Sequence, residues 1–358
     1  MFKIYKMWFA LIALVFFFEL KASEGTKETT EVLENSHVVE VYETDPAVHD
    51  KFKPVVGWER YTSDTACSVK GWIRWWKYLR IKKPIIMRWV NNLILRIHPN
   101  NEIFRALFVR GIYDPNLVVM VNAFLPRGGI LLDVGANMGY ISLWASKVVG
   151  AEGCIYAIEP SSRDYTRLVD NININGLNKI IFSYQLALSE KSGQRRLLIA
   201  AEERSALNTV GSEIVSKGVE IIGDEVVNTL TLDEFIEKEK IQRMDVLKLD
   251  IEGSEVKALR GAKDTLKKHH PAIILGFNRN ALKSCDTDYL ELQKILDESG
   301  YCVYEIVERP VFALVKVIDI SKVNSRIVVC LPKETIPPTL PQAEKTSVVD
   351  CIYNFFLR

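Results

Sequence analysis

The chain has 358 residues, of which 48% are hydrophobic and 25% are charged, and its formal net charge is +1. This length suits one large α/β domain with extensions at its ends. A net charge so close to zero gives no indication of a polyanionic partner, so no nucleic acid is expected to bind.

The first residues have the three-part layout of a secretory signal. Lys3 and Lys6 precede an apolar run over residues 7–18, and polar residues follow it. As a helix rising about 1.5 Å per residue, this run is too short to cross a hydrocarbon core of about 30 Å. A signal peptide over residues 1–23 is therefore favoured over a short membrane anchor. The expected location is the secretory pathway, exported or membrane-anchored, with the cytosolic face of a membrane as the alternative.

An acidic segment comes next, over residues 24–64. Between Glu24 and Asp50 it contains eight acidic residues and one lysine. A segment with this composition buries too little apolar surface to fold, so a poorly ordered linker is predicted.

The segment over residues 65–99 is basic and rich in tryptophan, with eight Lys or Arg and no acid between Thr65 and His98. It is predicted to be an N-terminal helical extension that Pro84 divides into two helices. Aromatic and basic residues are interleaved from Lys70 to Ile97, which suits contact with a membrane surface or an anionic glycan. Alternatively, the aromatic side chains pack on the next domain while the cations face water.

From residue 129 onward, short apolar runs alternate with helical patterns. This alternation predicts an α/β domain over residues 100–331 with a doubly wound, mostly parallel, seven-stranded sheet. A hairpin is expected within residues 194–227, one long helix over residues 254–268, and a tail over residues 332–358. The predicted strands are residues 129–134, 154–159, 180–186, 245–250, 272–277, 301–307 and 326–331.

A glycine-containing turn joins the first predicted strand to the helix after it. The turn contains Asp133, Gly135, Asn137 and Gly139. Glycine lets the backbone turn sharply, and the first amides of a helix can point at a ligand. Glu159 follows at the end of the next strand, where a carboxylate can accept hydrogen bonds from both hydroxyls of a ribose. These residues together predict a nucleoside site at the carboxyl ends of two strands.

The spacing of the glycines bears on which nucleoside binds. Dinucleotide-binding turns have the pattern G-x-G-x-x-G, so that a pyrophosphate can lie on the helix terminus. Here the turn reads G-A-N-M-G, with Asn137 in place of the middle glycine. A methionine tail suits this turn better than a pyrophosphate, so a methyltransferase is favoured over a dehydrogenase.

The motifs within residues 100–331 resemble those of the FkbM family of methyltransferases. The most specific is LKLDIEGSEVKALRGA over residues 247–262, since few other enzymes have D-x-E-G-x-E leading into such a helix. The resemblance implies a Rossmann-like class I methyltransferase fold and methyl transfer from S-adenosylmethionine, mostly to oxygen of sugars, glycolipids or secondary metabolites. The other motifs are DVGANMGY (133–140), AIEPSS (157–162), NININGL (171–177), LALSE (186–190) and TLTLDEF (229–235).

The resemblance also implies roles for individual residues. Glu159 would bind the ribose, and the segment that contains Ala187 would bind the adenine. One position departs from the family, because its fifth strand commonly ends in Glu where this chain has Gly276. The methionine portion of the cofactor would be held by Asp133, Gly135, Asn137 and Gly139.

Asp250 and Glu252 are the predicted catalytic residues. Methyl transfer depends on positioning and, for a hydroxyl acceptor, gains from a general base at a strand end near the methyl group. Either acid could instead bind the ammonium group of the cofactor or hold a divalent cation that polarises a sugar hydroxyl. Glu255 is expected to cap the helix that follows.

No resident metal is predicted, because the six cysteines lack the spacing of a zinc site. If the domain is exported, disulfides are compatible with the even number of cysteines. A second hypothesis is a membrane-associated or exported binding or scaffold protein that has this fold without the activity. Gly276 and the Trp-rich segment favour that hypothesis. The sequence indicates neither the acceptor nor the oligomeric state.

Overall fold

The computed structural model describes residues 77–211, 219–307 and 313–340, which all belong to one compact unit. The predicted signal or anchor, the acidic linker and the first part of the Trp-rich segment lie outside the described residues. The predictions about them, and about cellular location, therefore stay predictions. In the described part of the chain, no helix has the length and apolar character needed to span a membrane.

A β-hairpin follows Pro84. The prediction of a second helix at this position was therefore wrong. β1 (Ile85–Arg88) pairs antiparallel with β2 (Ile94–Ile97). Between them, Asn91 and Asn92 adopt positive φ angles of 54° and 60°. Asparagine tolerates this conformation better than most residues do. The two asparagines therefore allow a tight reversal where a helical pattern was expected.

The hairpin packs its aromatic side chain inward. Trp89 is 1% exposed, donates a hydrogen bond from Nε1 to the carbonyl of Gly111 at 2.7 Å, and lies 5.5 Å from the ring of Tyr140. Lys82 and Arg88 are exposed. In the described part of the Trp-rich segment, the aromatic side chains thus pack on the domain, and most of the cationic side chains face water.

Two capped helices come next. α1 (Glu102–Arg110) begins after Asn101, whose side chain accepts hydrogen bonds from two amides of the first turn. It ends at Gly111, where φ is 80°. α2 (Pro115–Phe124) begins after Asp114, which caps its first turn in the same way. These caps fix both ends of the loop between the two helices.

The remaining strands form a large sheet and a small one. Along the chain they are β3 (Ile130–Val134), β4 (Cys154–Ile158), β5 (Ile181–Tyr184), β6 (Ala187–Leu188), β7 (Gly193–Ala200), β8 (Ile221–Leu230), β9 (Val246–Leu249), β10 (Ala272–Gly276), β11 (Tyr301–Val307), β12 (Ala313–Lys316) and β13 (Ile327–Pro332). The large sheet has the order β12-β11-β13-β10-β9-β3-β4-β5.

The large sheet confirms the predicted doubly wound, mostly parallel architecture. β5, β4, β3, β9 and β10 are parallel neighbours, whereas β13 runs antiparallel to both β10 and β11. The prediction of seven strands was wrong, because the described residues include an eighth, β12, on the edge of β11. β9 is buried along its whole length, as expected for a central parallel strand.

Seven helices are described after the first of these strands: α3 (Tyr140–Val149), α4 (Ser162–Ile174), α5 (Leu232–Lys238), α6 (Glu255–Arg260), α7 (Lys263–His269), α8 (Arg279–Ser284) and α9 (Tyr289–Glu298). The single helix predicted over residues 254–268 is in fact two, α6 and α7. Gly261 separates them, and a Cβ at that position would lie 2.5 Å from the carbonyl oxygen of Ser189. The break therefore lies where the backbone approaches a neighbouring segment closely.

The small sheet has the order β6-β8-β7 and contains the hairpin predicted within residues 194–227. A 3-10 helix, Glu202–Leu207, follows β7. Glu202 forms an ion pair with Arg167 of α4 at 2.8 Å. This inserted hairpin is thereby held against the helix that follows β4.

The order of the large sheet reverses beside β3, since β4 and β5 lie on one side of it and β9 and β10 on the other. Ligands of open α/β sheets bind at such a point, outside the carboxyl ends of the strands. The fold therefore predicts a site above β3, β4 and β9.

Asn171 of α4 and Asn175, directly after its last residue, attach β2 to the domain. Asn175 accepts a hydrogen bond from the amide of Ile94 and donates one to its carbonyl, both at 2.7 Å. The buried Asn171 accepts from the amide of Arg96 at 2.9 Å and donates to the carbonyl of Met138 at 3.0 Å. Asn171 thus joins the hairpin to the segment that leads into α3.

We expect Asn171→Ala to lower the free energy of unfolding by about 1–3 kcal/mol, because it leaves a partly buried amide and a buried carbonyl without their partner. Urea denaturation of the full chain measures the change. The matched control is Asn173→Ala on the exposed face of the same helix, which should change stability by less than about 0.5 kcal/mol. Equal losses in the two variants would contradict the role given to Asn171.

Candidate active site

The turn after β3 is held close to the end of β9. Gly135 has a φ of 76°, and a Cβ on it would lie 2.1 Å from the carbonyl oxygen of Asp250. Gly139 has a φ of 90°, and its Cβ would lie 2.8 Å from the side chain of Leu168. Both glycines are thus required by contacts within the protein, in addition to any contact with a ligand.

Glu159 links the end of β4 to the turn after β3. Its side chain is buried, with one carboxylate oxygen accepting from the amide of Asn137 at 2.8 Å and the other from the amide of Ser161 at 3.0 Å. Burial, reinforced by the nearby charge of Asp164, raises the pKa of Glu159 to about 8. Each oxygen of a carboxylate can accept more than one hydrogen bond, so the group retains acceptor capacity for a ligand.

Asp133 lies under the turn, where it forms a buried ion pair with Lys248 at 3.1 Å and accepts a hydrogen bond from Ser142 at 2.6 Å. The ammonium group of Lys248 also donates to the carbonyls of Val134 at 3.2 Å and Gly135 at 2.7 Å. Burial lowers the pKa of Lys248, but the charges of its acidic neighbours outweigh burial and raise it overall. Lys248 is therefore a cation that fixes the backbone of the turn.

A cavity of about 300 Å³ opens above these elements. Asp133 and Gly139 do not line the cavity. Their contacts with Lys248 and Leu168 instead help to hold the turn after β3 in place. Hydrophobic side chains of Leu186 and Leu188 line the wall beside the predicted adenine segment. Six of the eight predicted site residues line it: Gly135, Asn137, Glu159, Ala187, Asp250 and Glu252.

The loop after β9 brings two carboxyl groups into the cavity. Asp250 is exposed and Glu252 is half-buried, with a φ of 50° at Glu252. Burial, followed by the charges of Asp250 and Glu255, raises the pKa of Glu252 to about 8. Glu255 accepts hydrogen bonds from the amides of Ile251 and Gly253, both at 3.0 Å, as expected of a capping residue. Asp250 and Glu252 are therefore the acids available to a ligand on this side.

Gly276 has a structural explanation. A Cβ at this position would lie 2.3 Å from Oδ1 of Asp250. Because Gly276 has no side chain, the carboxyl group of Asp250 can lie against the end of β10. The departure from the family pattern leaves the cavity with an acidic group near this strand end.

The lining residues that were not predicted from the sequence include four polar ones at the side of the cavity formed by α1, α2 and β13. Tyr113 and Asp114 lie in the loop between α1 and α2, Arg110 ends α1, and Arg326 precedes β13. The Asp-Pro pair at residues 114–115 is a helix-start signal that could have located this loop. The sequence contains no signal that brings it to the same cavity as Arg326.

Within the described residues, His, Cys, Asp and Glu side chains form no group of three or more that could hold a metal ion. The described cysteines Cys154, Cys285, Cys302 and Cys330 are free thiols.

The residues that line the cavity fit a nucleoside with an amino-acid tail. Glu159 supplies a carboxyl group with acceptor capacity, and the segment around Ala187 supplies an apolar wall. Asp250 and Glu252 place acidic groups in the same cavity. The carboxyl group of Glu159 suits hydroxyl donors such as those of a ribose, and the apolar wall suits an aromatic base. The acids Asp250 and Glu252 suit a cationic group such as an ammonium.

Comparison with known proteins agrees with this geometry. The family model described as a methyltransferase FkbM domain matches residues 133–303, which include every predicted site residue. The chain is 26% identical over 173 residues to the hexuronic acid methyltransferase AglP of Haloferax volcanii. That alignment covers 48% of this chain and 65% of the relative, so the chain spans slightly less than two thirds of its length.

Two other similarities cover more of the chain. Methyltransferase 1 of Beauveria bassiana is 23% identical over 225 residues, which are 59% of this chain and 84% of the relative. The crystal structure of methyltransferase FkbM from Methylobacillus flagellatus is 13% identical, with a TM-score of 0.36, and the match covers 75% of this chain and 60% of that one.

The motifs, the strand order and the match of the family model agree with one another. Residues 133–303 are similar to the methyltransferase FkbM domain, and they lie in an α/β domain with the class I methyltransferase fold, whose methyl donor is S-adenosylmethionine.

Proposed function

We propose that this domain methylates a hydroxyl group of a sugar, a glycolipid or a secondary metabolite. The observation that carries the proposal is that Glu159, at the end of β4, and Glu252, after β9, line one cavity. The cavity therefore offers a place for a nucleoside beside a place for an acceptor. The similarity to a hexuronic acid methyltransferase supports a sugar as the acceptor.

The cofactor would be held by residues at three strand ends. Glu159 would accept hydrogen bonds from the ribose hydroxyls, and the segment from Leu186 to Leu188 would contact the adenine. Gly135 and Asn137 would face the methionine portion. Asp250 lies against Gly135, so we assign its carboxyl group to the ammonium group of the cofactor. When bound, the cofactor supplies an electrophilic methyl group.

Glu252 is the residue that we propose as general base. Its pKa of about 8 is close to neutral pH, which favours a group that must both accept and release a proton. Its carboxylate would take the proton of the acceptor hydroxyl as the oxygen attacks the methyl group. Asp250 and the walls of the cavity would hold the reactants in line, since orientation supplies much of the rate.

The first prediction concerns Glu159 and pH. A ribose hydroxyl donates to a carboxylate better than to a carboxylic acid, and the pKa of Glu159 is raised to about 8. Binding of a ribose should therefore strengthen as the pH rises through this value. We expect the Kd of 5′-methylthioadenosine, which has no amino group to titrate, to fall about tenfold between pH 7 and pH 9. Calorimetry on the full chain measures it.

Glu159→Gln should bind the same compound more weakly and with no pH dependence in this range, because an amide does not ionise. Glu152→Gln is the control, since Glu152 is exposed at the surface. A wild-type affinity that stays constant with pH, or a slope that survives in Glu159→Gln, would refute the role of Glu159.

The second prediction concerns Glu252. We expect Glu252→Gln to lower kcat by about 10²–10⁴-fold, while the affinity for S-adenosylmethionine stays within about twofold. In the wild type, kcat should rise with pH through about 8, because the carboxylate is the active form. Asp250→Asn should mainly weaken cofactor binding. Rates of labelled methyl transfer and cofactor titrations separate the two effects, and a full kcat in Glu252→Gln would rule out the proposed base.

The proposal as a whole is tested against the alternative of an inactive scaffold. The full chain is incubated with methyl-labelled S-adenosylmethionine and a panel of sugars, glycolipids and cell-derived glycans. Transfer of label to a hydroxyl is the expected result. A chain that neither binds S-adenosylmethionine at millimolar concentration nor transfers label to any acceptor would instead be a scaffold.

A further inference from the structure

Two arginines line the active-site cavity in addition to its acids. Arg110 is the last residue of α1, and Arg326 comes directly before β13. Both side chains are exposed, and both line the cavity that contains Glu159 and Glu252. They reach the same cavity from two separate elements of the fold.

The electrostatic neighbours of Arg326 show which part of the cavity it faces. Burial raises the pKa values of Tyr113, Asp114 and Glu252, and the positive charge of Arg326 partly offsets the rise in each. Arg110 acts in the same sense on the buried Tyr140. Arg326 therefore lies at the end of the cavity that contains the proposed base.

Two other arginines near the cavity, one in α4 and one in the 3-10 helix after β7, are paired with acids. Arg167 pairs with Glu202 at 2.8 Å, and Arg204 pairs with Glu102 at 2.8 Å. Within the described part of the chain, no such hydrogen bond or ion pair holds the guanidinium group of Arg110 or Arg326. These two groups have donors available for a ligand.

Among the described residues, the acids that line the cavity form no ion pair with either arginine. Asp250 is assigned to the ammonium group of the cofactor, and burial together with the charges of Asp250 and Glu255 raises the pKa of Glu252 to about 8. Near neutral pH, Glu252 is therefore largely uncharged in the free protein. A planar guanidinium group binds a carboxylate or a phosphate through two parallel hydrogen bonds. The positive charge at this end of the cavity thus favours an anionic acceptor.

We propose that Arg110 and Arg326 bind an anionic group, a carboxylate or a phosphate, on the acceptor sugar, so that the enzyme selects charged sugars over neutral ones. The proposal rests on the proposed function. The arginines would hold the anionic group while a hydroxyl elsewhere on the sugar faces Glu252. They are binding residues and take no part in the transfer of the proton or the methyl group.

The test uses the full chain saturated with S-adenosylhomocysteine and three 4-nitrophenyl β-D-glycosides that differ at C6. The glucuronide carries a carboxylate, the glucoside 6-phosphate carries a phosphate, and the glucoside is neutral. Calorimetry gives the three Kd values, and labelled S-adenosylmethionine gives KM and kcat for transfer. At least one anionic sugar should bind about tenfold more tightly than the neutral one, which corresponds to about 1.4 kcal/mol. The tighter of the two anionic sugars identifies the group.

The variants Arg110→Gln and Arg326→Gln should each raise Kd and KM for the preferred anionic sugar by about tenfold. Binding of the neutral sugar and of S-adenosylhomocysteine should be unchanged. Arg326→Lys should retain part of the preference because it keeps the charge. Arg195→Gln, on the exposed part of β7, is the control.

Equal affinity for all three sugars, or failure of all three to bind, would overturn the proposal. A preference that persists in both glutamine variants would do the same. These outcomes differ from failure of the proposed function, in which S-adenosylhomocysteine itself does not bind and no acceptor is labelled.

Discussion

The buried ammonium group of Lys248 is the feature on which the site depends. It pairs with Asp133 at 3.1 Å and donates to the carbonyl of Gly135 at 2.7 Å, so one cation joins β9 to β3 and to the turn after β3. Losing one partner of a buried ion pair costs about 3–5 kcal/mol, because the other charge is left unpaired in the interior. The turn is therefore held in place before any ligand binds.

A second constraint is the crowding of acids at the same strand ends. Glu159 and Glu252 each have a pKa raised to about 8, and Glu255 one raised to about 7, with burial as the largest cause in each. Such shifts are common where protons or charged ligands are handled. Backbone amides donate hydrogen bonds to the carboxyl groups of Glu159 and Glu255. Glu159 and Glu252, to which we assign ligand binding and proton transfer, line one cavity.

Close backbone contacts explain why particular positions lack side chains. Gly135 lies against the backbone of Asp250, and Gly276 lies against its carboxyl group. Asp250 thus has close neighbours in the turn after β3 and at the end of β10, which limit where its oxygens can point. Gly276 departs from the family pattern in sequence. In the structure, its lack of a side chain leaves room for the carboxyl group of Asp250. This contact weakens the case for an inactive scaffold, which rested partly on that residue.

The sequence by itself determined the sheet and the residues that we assign to the cofactor. Buried parallel strands have uninterrupted apolar runs, and the Asp133 turn and Glu159 lie directly at their ends, so local pattern was enough. The hairpin at β1 and β2 was predicted as a helix. Asn91 and Asn92 make its reversal, and the side chains of Asn171 and Asn175, distant in sequence, attach β2 to the domain. The proposed acceptor end was decided only by tertiary structure. Arg110 and Arg326 lie far apart in sequence, and only the folding of α1 and β13 onto the same strand ends brings their charges together.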